Sequence, residues 1–507
     1  MIRRFGLLLA VASIIGWAAC GGGGSSSSTV SSVSVSCSPS TVTSGGTSQC
    51  TATVTGTGSF NSAVNWSASA GTISSSGMLT APTVTSSVVD TVTATSVQNS
   101  SVAGTATVSV TTSSGSNVAP IVVDAGPSNL GYSSTNVAFV TVTVCVPGTS
   151  NCQNIDHVMV DTGSSGLRLL PTGSGGELSL SLPQENDSSG NPLAECLVFL
   201  DGYIWGPVQT ADVTIAGESA SNVPVQLIIP STTSPAVPTS CSNQNPSGGA
   251  GNEGNSVGDF GANGIIGVGL LPQDCGPGCT SQGNTSPPDV YYDCPSSGCT
   301  PTYATLTQQV PNPVSMFATD NNGVLIELPS LASSNNQGLN VAGSLIFGIG
   351  TESNNGLGSA AIYEVPDIYS SNFGNMITTY SGQSYPGFLD SGSNGLFFLD
   401  SSTTGIPLCT GFMGASDWYC PASPPANESV TNQGQSDSGP VGSPVQASFS
   451  IDNANTLFGT NNTAFSTLGG PQSGSFDFGL AFFYGRNVFT AIEGASTPPG
   501  SGPYFAF

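Results

Sequence analysis

One short pattern occurs twice in this chain, as HVMVDTGSSGLRLL over residues 157–170 and as PGFLDSGSNGLFFL over residues 386–399. Each copy places an aspartate, Asp161 or Asp390, in a turn of small residues between two apolar runs. Glycine permits a tight turn and close approach of another backbone, and apolar flanks are typical of buried strands that would support the turn. The pattern therefore predicts two related halves that each contribute one acidic turn.

The chain also contains a third acidic tripeptide of this kind, Asp437-Ser438-Gly439, inside a polar stretch. The tripeptide alone is weak evidence in a sequence with 66 glycines. Because this copy lacks the apolar flanks, we assign it no functional role.

The remaining sequence predicts an all-β protein. Residues 30–112 alternate β-forming and small polar residues between turn signals, and NWSASAGTISSSGMLTAP resembles bacterial immunoglobulin-like repeats, with Trp66 as a core candidate. We therefore expect a small immunoglobulin-like β-sandwich there. After a linker at 113–118, residues 119–507 are rich in short strand patterns and lack a convincing amphipathic helix.

The length of this second segment suits two β-lobes, which we place at 119–352 and 353–507. Three low-complexity stretches rich in Ser, Pro, Gly and Asn interrupt it, and we predict that they are surface insertions: 231–262, 272–302 and 421–446.

The first twenty residues are typical of a secretory signal. Two arginines precede an apolar run, residues 5–17, that is too short for a comfortable membrane span. Cys20 follows two alanines and precedes GGGGSSSS, an arrangement that resembles a bacterial lipobox. We therefore expect a signal peptide over 1–20 with a lipidated Cys20 beside it, and a flexible tether over 21–29.

On this interpretation the chain is an exported bacterial lipoprotein at the outer membrane or cell surface, with the periplasmic face as an option. It would contact the membrane only through its N-terminal lipid. The alternative is an ordinary signal peptide followed by an incidental cysteine.

The cysteine count agrees with export. Thirteen cysteines less the lipidated Cys20 leave twelve, enough for six disulfides in an oxidising compartment. Short spacings suggest three local pairs, which are Cys37 with Cys50, Cys145 with Cys152, and Cys409 with Cys420. The cluster Cys275, Cys279, Cys294 and Cys299 has spacings that could suit zinc, but disulfides are favoured in an exported chain, so we expect no metal.

Charge excludes several classes of partner and mechanism. The chain has 29 acidic residues, no lysine and four arginines, of which only Arg168 and Arg486 lie beyond the signal. Nucleic acids and anionic lipid surfaces need clustered cations, so neither is expected as a partner. Lysine-based catalysis is excluded, and the single His157 has no GxSxG-type nucleophile turn to serve. Carboxylates are left to carry any hydrolytic chemistry.

The chain resembles pepsin-like aspartic peptidases in the order of its motifs as well as in the two acidic turns. Five further segments are similar to landmarks of that family, namely the flap hairpin, the strand beneath the first aspartate, two strands near the lobe junction, and the C-terminal apolar-Gly segment. They are FLDGYIWGPVQTADVTIAG (199–217), GANGIIGVGLL (261–271), VSMFA (314–318), GSLIFGIG (343–350) and FDFGLAFFYGRNVFTAIEG (476–494). The chain also resembles a group of bacterial lipoproteins of unknown function.

This resemblance implies a bilobal double β-barrel in which Asp161 and Asp390 meet across a cleft, share one proton and activate a water for peptide hydrolysis. No metal or organic cofactor would be needed, the substrate would be a peptide or protein, and we expect a monomer. Six neighbours would support the pair. Thr162 and Ser391 would donate hydrogen bonds between the lobes, Gly163 and Gly392 would form the turns, and Ser164 and Ser393 would hold the outer carboxylate oxygens.

Two departures from the family concern the flap, which includes Asp201, Gly202 and Tyr203. Alignment of the flap glycines puts Phe199 where the family has a tyrosine hydroxyl. Arg168 replaces the tryptophan that supports that tyrosine. An inward Arg168 would lower the pKa of the aspartate pair, whereas an outward one, the favoured orientation, would only be solvated.

Three functions remain open from the sequence. The first is an active aspartic endopeptidase tethered at the surface. The second is a non-catalytic binding or adhesive protein with the same fold, which the altered flap and the stalk-like first domain favour. The third is a structural surface protein whose acidic turns bind calcium, with TDNNG (319–323) as a calcium loop rather than an ordinary hairpin turn.

Overall fold

The computed structural model describes residues 28–43, 46–82, 88–111, 117–199, 202–244, 251–282, 284–332, 335–411, 415–423 and 425–507. The predicted signal peptide, Cys20, most of the tether and linker, and Asp201 lie outside the described residues. The chain divides into two compact units, Met1–Ser114 and Gly115–Phe507. In the described part of the chain, no helix is both long and apolar enough to cross a bilayer.

The first unit is a β-sandwich. Its two four-stranded sheets have the orders β1-β3-β6-β5 and β2-β8-β7-β4, and Leu79, Val92 and Val108 are fully buried in the core that they share. The immunoglobulin-like relationship of this sandwich stays a prediction. The strands are β1 (Thr29–Ser38), β2 (Thr41–Thr43), β3 (Thr47–Thr57), β4 (Val64–Ala68), β5 (Thr72–Ile73), β6 (Met78–Thr80), β7 (Val88–Ser96) and β8 (Ala103–Thr111).

Within the described residues, the first half of the second unit contributes fourteen strands. These are β9 (Val118–Val123), β10 (Ala138–Cys145), β11 (Cys152–Asp161), β12 (Ser165–Leu169), β13 (Leu193–Val198), β14 (Gly202–Ile215), β15 (Glu218–Leu227), β16 (Asn252–Glu253), β17 (Gly264–Val268), β18 (Tyr291–Asp293), β19 (Thr300–Pro301), β20 (Gly323–Glu327), β21 (Gln337–Gly338) and β22 (Val341–Phe347).

The second half contributes thirteen more strands. These are β23 (Ile362–Glu364), β24 (Met376–Tyr380), β25 (Gln383–Asp390), β26 (Leu396–Leu399), β27 (Ala426–Ser436), β28 (Gly439–Ile451), β29 (Ala464–Phe465), β30 (Gly469–Gly470), β31 (Gln472–Gly479), β32 (Asn487–Ala491), β33 (Ser496–Thr497), β34 (Gly500–Ser501) and β35 (Tyr504–Ala506).

Helices are few and short. The α-helices have four or five residues each and are α1 (Thr239–Ser242), α2 (Val257–Phe260), α3 (Ser401–Thr404), α4 (Ala454–Phe458) and α5 (Leu480–Phe483). The 3-10 helices are Thr172–Ser174, Gly276–Cys279, Pro313–Met316 and Ala415–Asp417. The all-β class predicted from the sequence is confirmed, although VSMFA (314–318), expected as a strand, begins within a 3-10 helix because Pro313 favours a first helical position.

The first lobe is built on a closed barrel of six strands. These strands follow each other as β14-β15-β12-β17-β11-β10, and β10 pairs back to β14 between Thr143 and Thr214. Closure removes the exposed edges of the sheet. Every residue of β12 and β17 is buried, as are the last two residues of β11, Val160 and Asp161. The first acidic turn therefore projects from a rigid support.

The second lobe is a seven-stranded sheet with the order β28-β27-β24-β25-β31-β26-β30. The long hairpin β27–β28 occupies most of the stretch 421–446, so this stretch is a regular hairpin at the edge of the sheet rather than an irregular insertion. Residues 442–446 are exposed, whereas Val430 and Phe449 are buried. Asp437 lies at the tip of this hairpin, in the turn between the two strands.

A third group of strands lies between the lobes and draws on both ends of the unit. Its order is β9-β22-β20-β32-β35-β23, and it continues the first-lobe sheet through β10. The strands β23, β32 and β35 thus belong to this shared sheet, although they lie within 353–507.

The three disulfides predicted from spacing are present. They join Cys37 to Cys50, Cys145 to Cys152, and Cys409 to Cys420. In the first pair, Cys50 is buried in the core of the β-sandwich. In the last pair, both cysteines precede β27 in the chain. Each bond closes a short loop within one unit.

The other disulfides come from the four-cysteine cluster and from one long-range pair. The cluster forms Cys275–Cys279 and Cys294–Cys299. The sixth bond, Cys196–Cys241, joins residues 45 apart and ties β13 to α1. Long-range pairs of this kind leave no local spacing signal, which is why the sequence did not reveal it.

Asn136 connects segments that are remote in the sequence. It is fully buried, its φ is 51°, and its amide donates to the carbonyl oxygens of Asn394 and Phe465, both at 2.8 Å. Its side-chain oxygen accepts from the Phe465 amide at 2.7 Å and from the Tyr484 hydroxyl at 3.1 Å. The segment before β10 is thereby held against the loop that follows Asp390.

We predict that Asn136→Ala lowers the free energy of unfolding by about 3 kcal/mol or more, because it leaves several buried donors and acceptors without partners. Urea denaturation measures this change. Asn129→Ala, which removes an exposed amide that donates to Gly175, is the control and should cost less than about 1 kcal/mol. Equal effects of the two substitutions would contradict the connecting role of Asn136.

Candidate active site

Asp161 is positioned by the strands on either side of its turn, β11 and β12, which both pair with β17. It is the last residue of β11, which runs parallel to β17 with Asp161 opposite Gly267. The chain then turns through residues 162–164 and enters β12, which runs antiparallel to the other side of β17. Both flanks of the turn are therefore fixed by the same strand.

The second lobe repeats this arrangement around Asp390. Asp390 is the last residue of β25, which runs parallel to β31 with Asp390 opposite Gly479. After the turn, β26 runs antiparallel to β31. The bilobal arrangement predicted from the two acidic turns is confirmed, and the turns are related by an approximate twofold axis.

Four hydrogen bonds join the two turns. Ser391 Oγ accepts from the Thr162 amide at 3.0 Å and donates to the Val160 carbonyl at 2.8 Å. In the reciprocal pair, Thr162 Oγ1 accepts from the Ser391 amide at 2.9 Å and donates to the Leu389 carbonyl at 3.2 Å. All these groups are buried, so the bonds fix the separation of the two aspartates.

Glycine is required beside each aspartate for lack of space. A methyl group at Gly163 would lie 2.6 Å from Asp390 Cγ, and one at Gly392 would lie 2.7 Å from Asp161 Oδ1. Any larger residue in either turn would push the opposite carboxyl group away. The two glycines therefore set how closely the acids approach.

Each carboxyl group is held by its own turn. Asp161 accepts from the Gly163 amide at 2.7 Å and from the Ser164 hydroxyl. Asp390 accepts from the Gly392 and Ser393 amides at 2.8 and 3.2 Å and from the Ser393 hydroxyl at 3.0 Å. The donors leave the inner faces of the two acids directed at each other.

Burial, reinforced by the neighbouring Asp390, raises the pKa of Asp161 well above its ordinary value of 3.8. The two carboxyl groups are close enough to share a hydrogen bond, which raises this pKa further. Two like charges at such a distance do not both ionise readily, so the two carboxyl groups titrate as a coupled pair that shares one proton.

A third carboxyl group lies behind the pair. Asp477, in β31, is 1% exposed, and its Oδ2 is 2.6 Å from Ser393 Oγ. Our sequence reasoning missed it. The sequence did contain a signal for it, namely an acid between two phenylalanines in an apolar stretch. Because burial of an isolated charge is costly, such an acid indicates a functional role.

Arg168 is fully buried, so the outward orientation favoured from the sequence is wrong. Its guanidinium binds both carboxylate oxygens of Glu195, donates to the Ser165 carbonyl at 2.8 Å and reaches Asp274 Oδ2 at 3.4 Å. Tyr291 donates to the other oxygen of Asp274 at 2.7 Å. Arg168 therefore points inward, but its cation pairs with Glu195 and Asp274 rather than with the two catalytic candidates Asp161 and Asp390.

The strands of the predicted flap hairpin are β13 and β14, which pair antiparallel from Ala194 with Pro207 to Val198 with Tyr203. Phe199 lines the cleft, whereas Tyr203 is 6% exposed and packs in the core. Gly202 begins β14 and pairs with Asn252. Neither Phe199 nor the buried Tyr203 presents a hydroxyl to the cleft at the place where the family resemblance implied one.

A cleft of about 350 Å³ opens beside the first acidic turn. Its walls are mostly apolar and come from both lobes. They are Thr162, Gly163, Ser164, Ser165, Leu197, Val198, Phe199, Leu270, Leu271, Asp274, Phe373, Gly374, Asn375, Phe388, Leu389 and Phe505.

In the part of the chain that the structure describes, no group of three or more His, Cys, Asp or Glu side chains is placed to hold a metal ion. The single histidine, His157, contacts Asp156 at 2.8 Å and Asp124 at 3.3 Å.

We predict that Arg168→Met lowers the free energy of unfolding by about 3–5 kcal/mol, because it leaves Glu195 and Asp274 buried without their cation. Arg168→Lys is the matched control and should cost less, since it keeps the charge and loses only the fork of donors. Chemical denaturation measures both. A cost below about 1 kcal/mol for the methionine variant would contradict the role of this cluster.

Comparisons with known proteins give a family and structural neighbours. The crystal structure of an aspartic proteinase from Irpex lacteus is similar over 77% of this chain and 96% of that chain, at 16% sequence identity and a TM-score of 0.44. No functionally curated protein matches the sequence significantly. The model of the family DUF3443, described as a protein of unknown function, matches residues 113–507. Because that match covers most of the chain, the chain belongs to the DUF3443 family.

Proposed function

We propose that this chain is an aspartic endopeptidase that uses Asp161 and Asp390 to activate water for peptide-bond hydrolysis. One observation carries the proposal, namely that Asp161 is buried beside Asp390, so closely that a methyl group at Gly163 or Gly392 would collide with the opposite carboxyl group. A protein without acid–base chemistry gains nothing from holding two like charges together, because each opposes the ionisation of the other.

The two members of the pair take different roles according to which one holds the shared proton. The protonated carboxyl group acts as the acid and hydrogen-bonds the carbonyl oxygen of the scissile bond. The ionised carboxyl group is the base and takes a proton from the attacking water. The tetrahedral diol then collapses, and an aspartate delivers a proton to the leaving amine.

The cleft favours apolar or cationic peptides. Its walls include Leu197, Phe199, Leu270 and Phe388, and the chain carries a formal net charge of −25 at pH 7. Such a charge repels acidic substrates and attracts basic ones. We also propose that the enzyme acts as a monomer and is anchored outside the cell through lipid on Cys20.

The second candidate is a binding or adhesive protein with the same fold. The observation in its favour is the flap, where Phe199 faces the cleft without a hydroxyl and Tyr203 is buried. A flap of this kind encloses a peptide through apolar contact alone.

We predict that Asp161→Asn and Asp390→Asn each lower the rate of cleavage of a denatured protein substrate by at least about 100-fold, because each removes one partner of the acid–base pair. The assay covers pH 2 to 7, with and without a statine-type inhibitor. Asp437→Asn, which changes the same kind of tripeptide in the β27–β28 turn, is the matched control and should leave the rate unchanged.

Both variants should unfold at no lower urea concentration than the wild type at pH 7, since an amide removes repulsion between the acids. This separates loss of chemistry from loss of fold. Absence of inhibitable cleavage by the folded wild type at every pH would favour the binding protein instead.

Cleavage should be confined to acid pH. The raised pKa of Asp161 means that its proton is present below that pKa and lost as the pH rises through it, and the rate falls with it. By analogy with pepsin, the active range should lie mainly below about pH 5. A pH–rate profile checks this, and a rate that increases between pH 5 and 8 would contradict the assignment.

A further inference from the structure

Asp477 approaches the aspartate pair through Ser393. Ser393 Oγ is 2.6 Å from Asp477 Oδ2 and 3.0 Å from Asp390 Oδ2. The flanking residues Phe476 and Phe478 are fully buried, and Asp477 itself is 1% exposed. The hydroxyl of Ser393 therefore lies between two carboxyl groups, of which Asp477 is closed to solvent.

The two contacts of Ser393, with Asp477 and with Asp390, need two donated protons, and the serine hydroxyl has only one. A serine hydroxyl has one proton and can donate to one of the two carboxyl groups. The other contact is favourable only if that carboxyl group is itself protonated and donates to the serine oxygen. One of the two acids must therefore be neutral.

Their surroundings decide which one it is. Asp390 accepts from two backbone amides, Gly392 and Ser393, which suit a charged oxygen. Asp477 Oδ1 has no hydrogen-bond partner among the described residues. A charged carboxylate with one oxygen neither paired nor hydrated is far more costly to bury than a neutral acid.

Neighbouring charges act in the same direction. Burial first, and then the charge of Asp390, raises the pKa of Asp477 well above its ordinary value of 3.8, and Asp161 adds to the effect. The ionisable groups that face Asp477 are thus both acidic, Asp390 from the turn after β25 and Asp161 from the other lobe.

The first lobe lacks this third acid. Asp161 is supported by Ser164, as Asp390 is by Ser393, but the position equivalent to Asp477, two residues before the glycine opposite the aspartate, is Ile265. The two halves of the site therefore differ in what stands behind their serine.

We propose that Asp477 is a positioning residue that stays protonated, donates to Ser393 and so directs the Ser393 proton to Asp390, making Asp390 the charged member of the pair. The consequence for cleavage rests on the proposed function, whereas the protonation of Asp477 does not. Asp477 touches no reacting atom and acts through Ser393.

The protonation state is tested without any assay of activity. The folded wild type keeps a proton on Asp477 that the unfolded chain releases above about pH 4. The unfolding constant of the wild type, divided by that of Asp477→Asn, should therefore rise about tenfold per pH unit from pH 4 until Asp477 ionises in the folded state. Urea denaturation of the full-length chain at several pH values gives this ratio.

Asp477→Ile, which copies the first lobe, is the second variant. Neither it nor Asp477→Asn can ionise at this position, so the two should share one pH dependence and differ by a constant factor that reports packing. A wild-type ratio that stays constant with pH, or falls, would overturn the proposal.

The consequence for cleavage is tested by the same variants. The asparagine amide donates to Ser393 as the neutral acid does, so the rate at the optimal pH should stay within about fivefold of the wild type. Asp477→Ile cannot donate and should lose about tenfold or more.

The alkaline limit of the Asp477→Asn profile should stay in place or move to higher pH, because removal of a neutral acid removes one route of proton loss and no charge. A move to lower pH would show that a negative charge had been removed, and would overturn the proposal. If the wild type cleaves nothing, the proposed function fails, and the unfolding experiment still decides the state of Asp477.

Discussion

The site depends on the reciprocal hydrogen bonds between Thr162 and Ser391, which hold two acids together against their mutual repulsion. Each hydroxyl joins its own lobe to the backbone of the other, so neither turn can withdraw without leaving buried donors unpaired. The closed barrel beneath Asp161 and the sheet beneath Asp390 make those backbones stiff. The repulsion between the two acids is thus opposed by both lobes of the second unit rather than by the turns alone.

The two lobes share the same strand arrangement around their acidic turns, but they bury different ionisable side chains. On one rung of the first lobe Arg168 of β12 pairs with Ile265 of β17, and on the corresponding rung of the second lobe Phe397 of β26 pairs with Asp477 of β31. Each lobe thus buries one ionisable side chain there, on opposite strands: a base, Arg168, in the first lobe and an acid, Asp477, in the second. The Arg168 cluster is satisfied within its own lobe, whereas Asp477 has only Ser393, which leads to the aspartate pair.

The sequence predicted the all-β class, the two acidic turns and the local disulfides, because each leaves a short-range signal. Apolar flanks marked Asp161 and Asp390 and set them apart from Asp437. The buried orientation of Arg168 could not be predicted, since its partners Glu195 and Asp274 are remote in sequence and no local pattern links them. The strands β27 and β28 could not be predicted for another reason: their composition is that of a loop, and pairing across the hairpin and with β24 stabilises them.

The scarcity of cations has a further effect. Beyond residue 27 the chain has two sites for a protease that cuts after basic residues, Arg168 and Arg486. Arg168 is enclosed in β12 between β15 and β17, and the Arg486 guanidinium stacks 4.0 Å from the Phe482 ring centre. A trypsin-like enzyme therefore reaches the Arg168 peptide bond only when the first-lobe barrel opens. The rate of cleavage after Arg168 therefore reports how often that barrel opens.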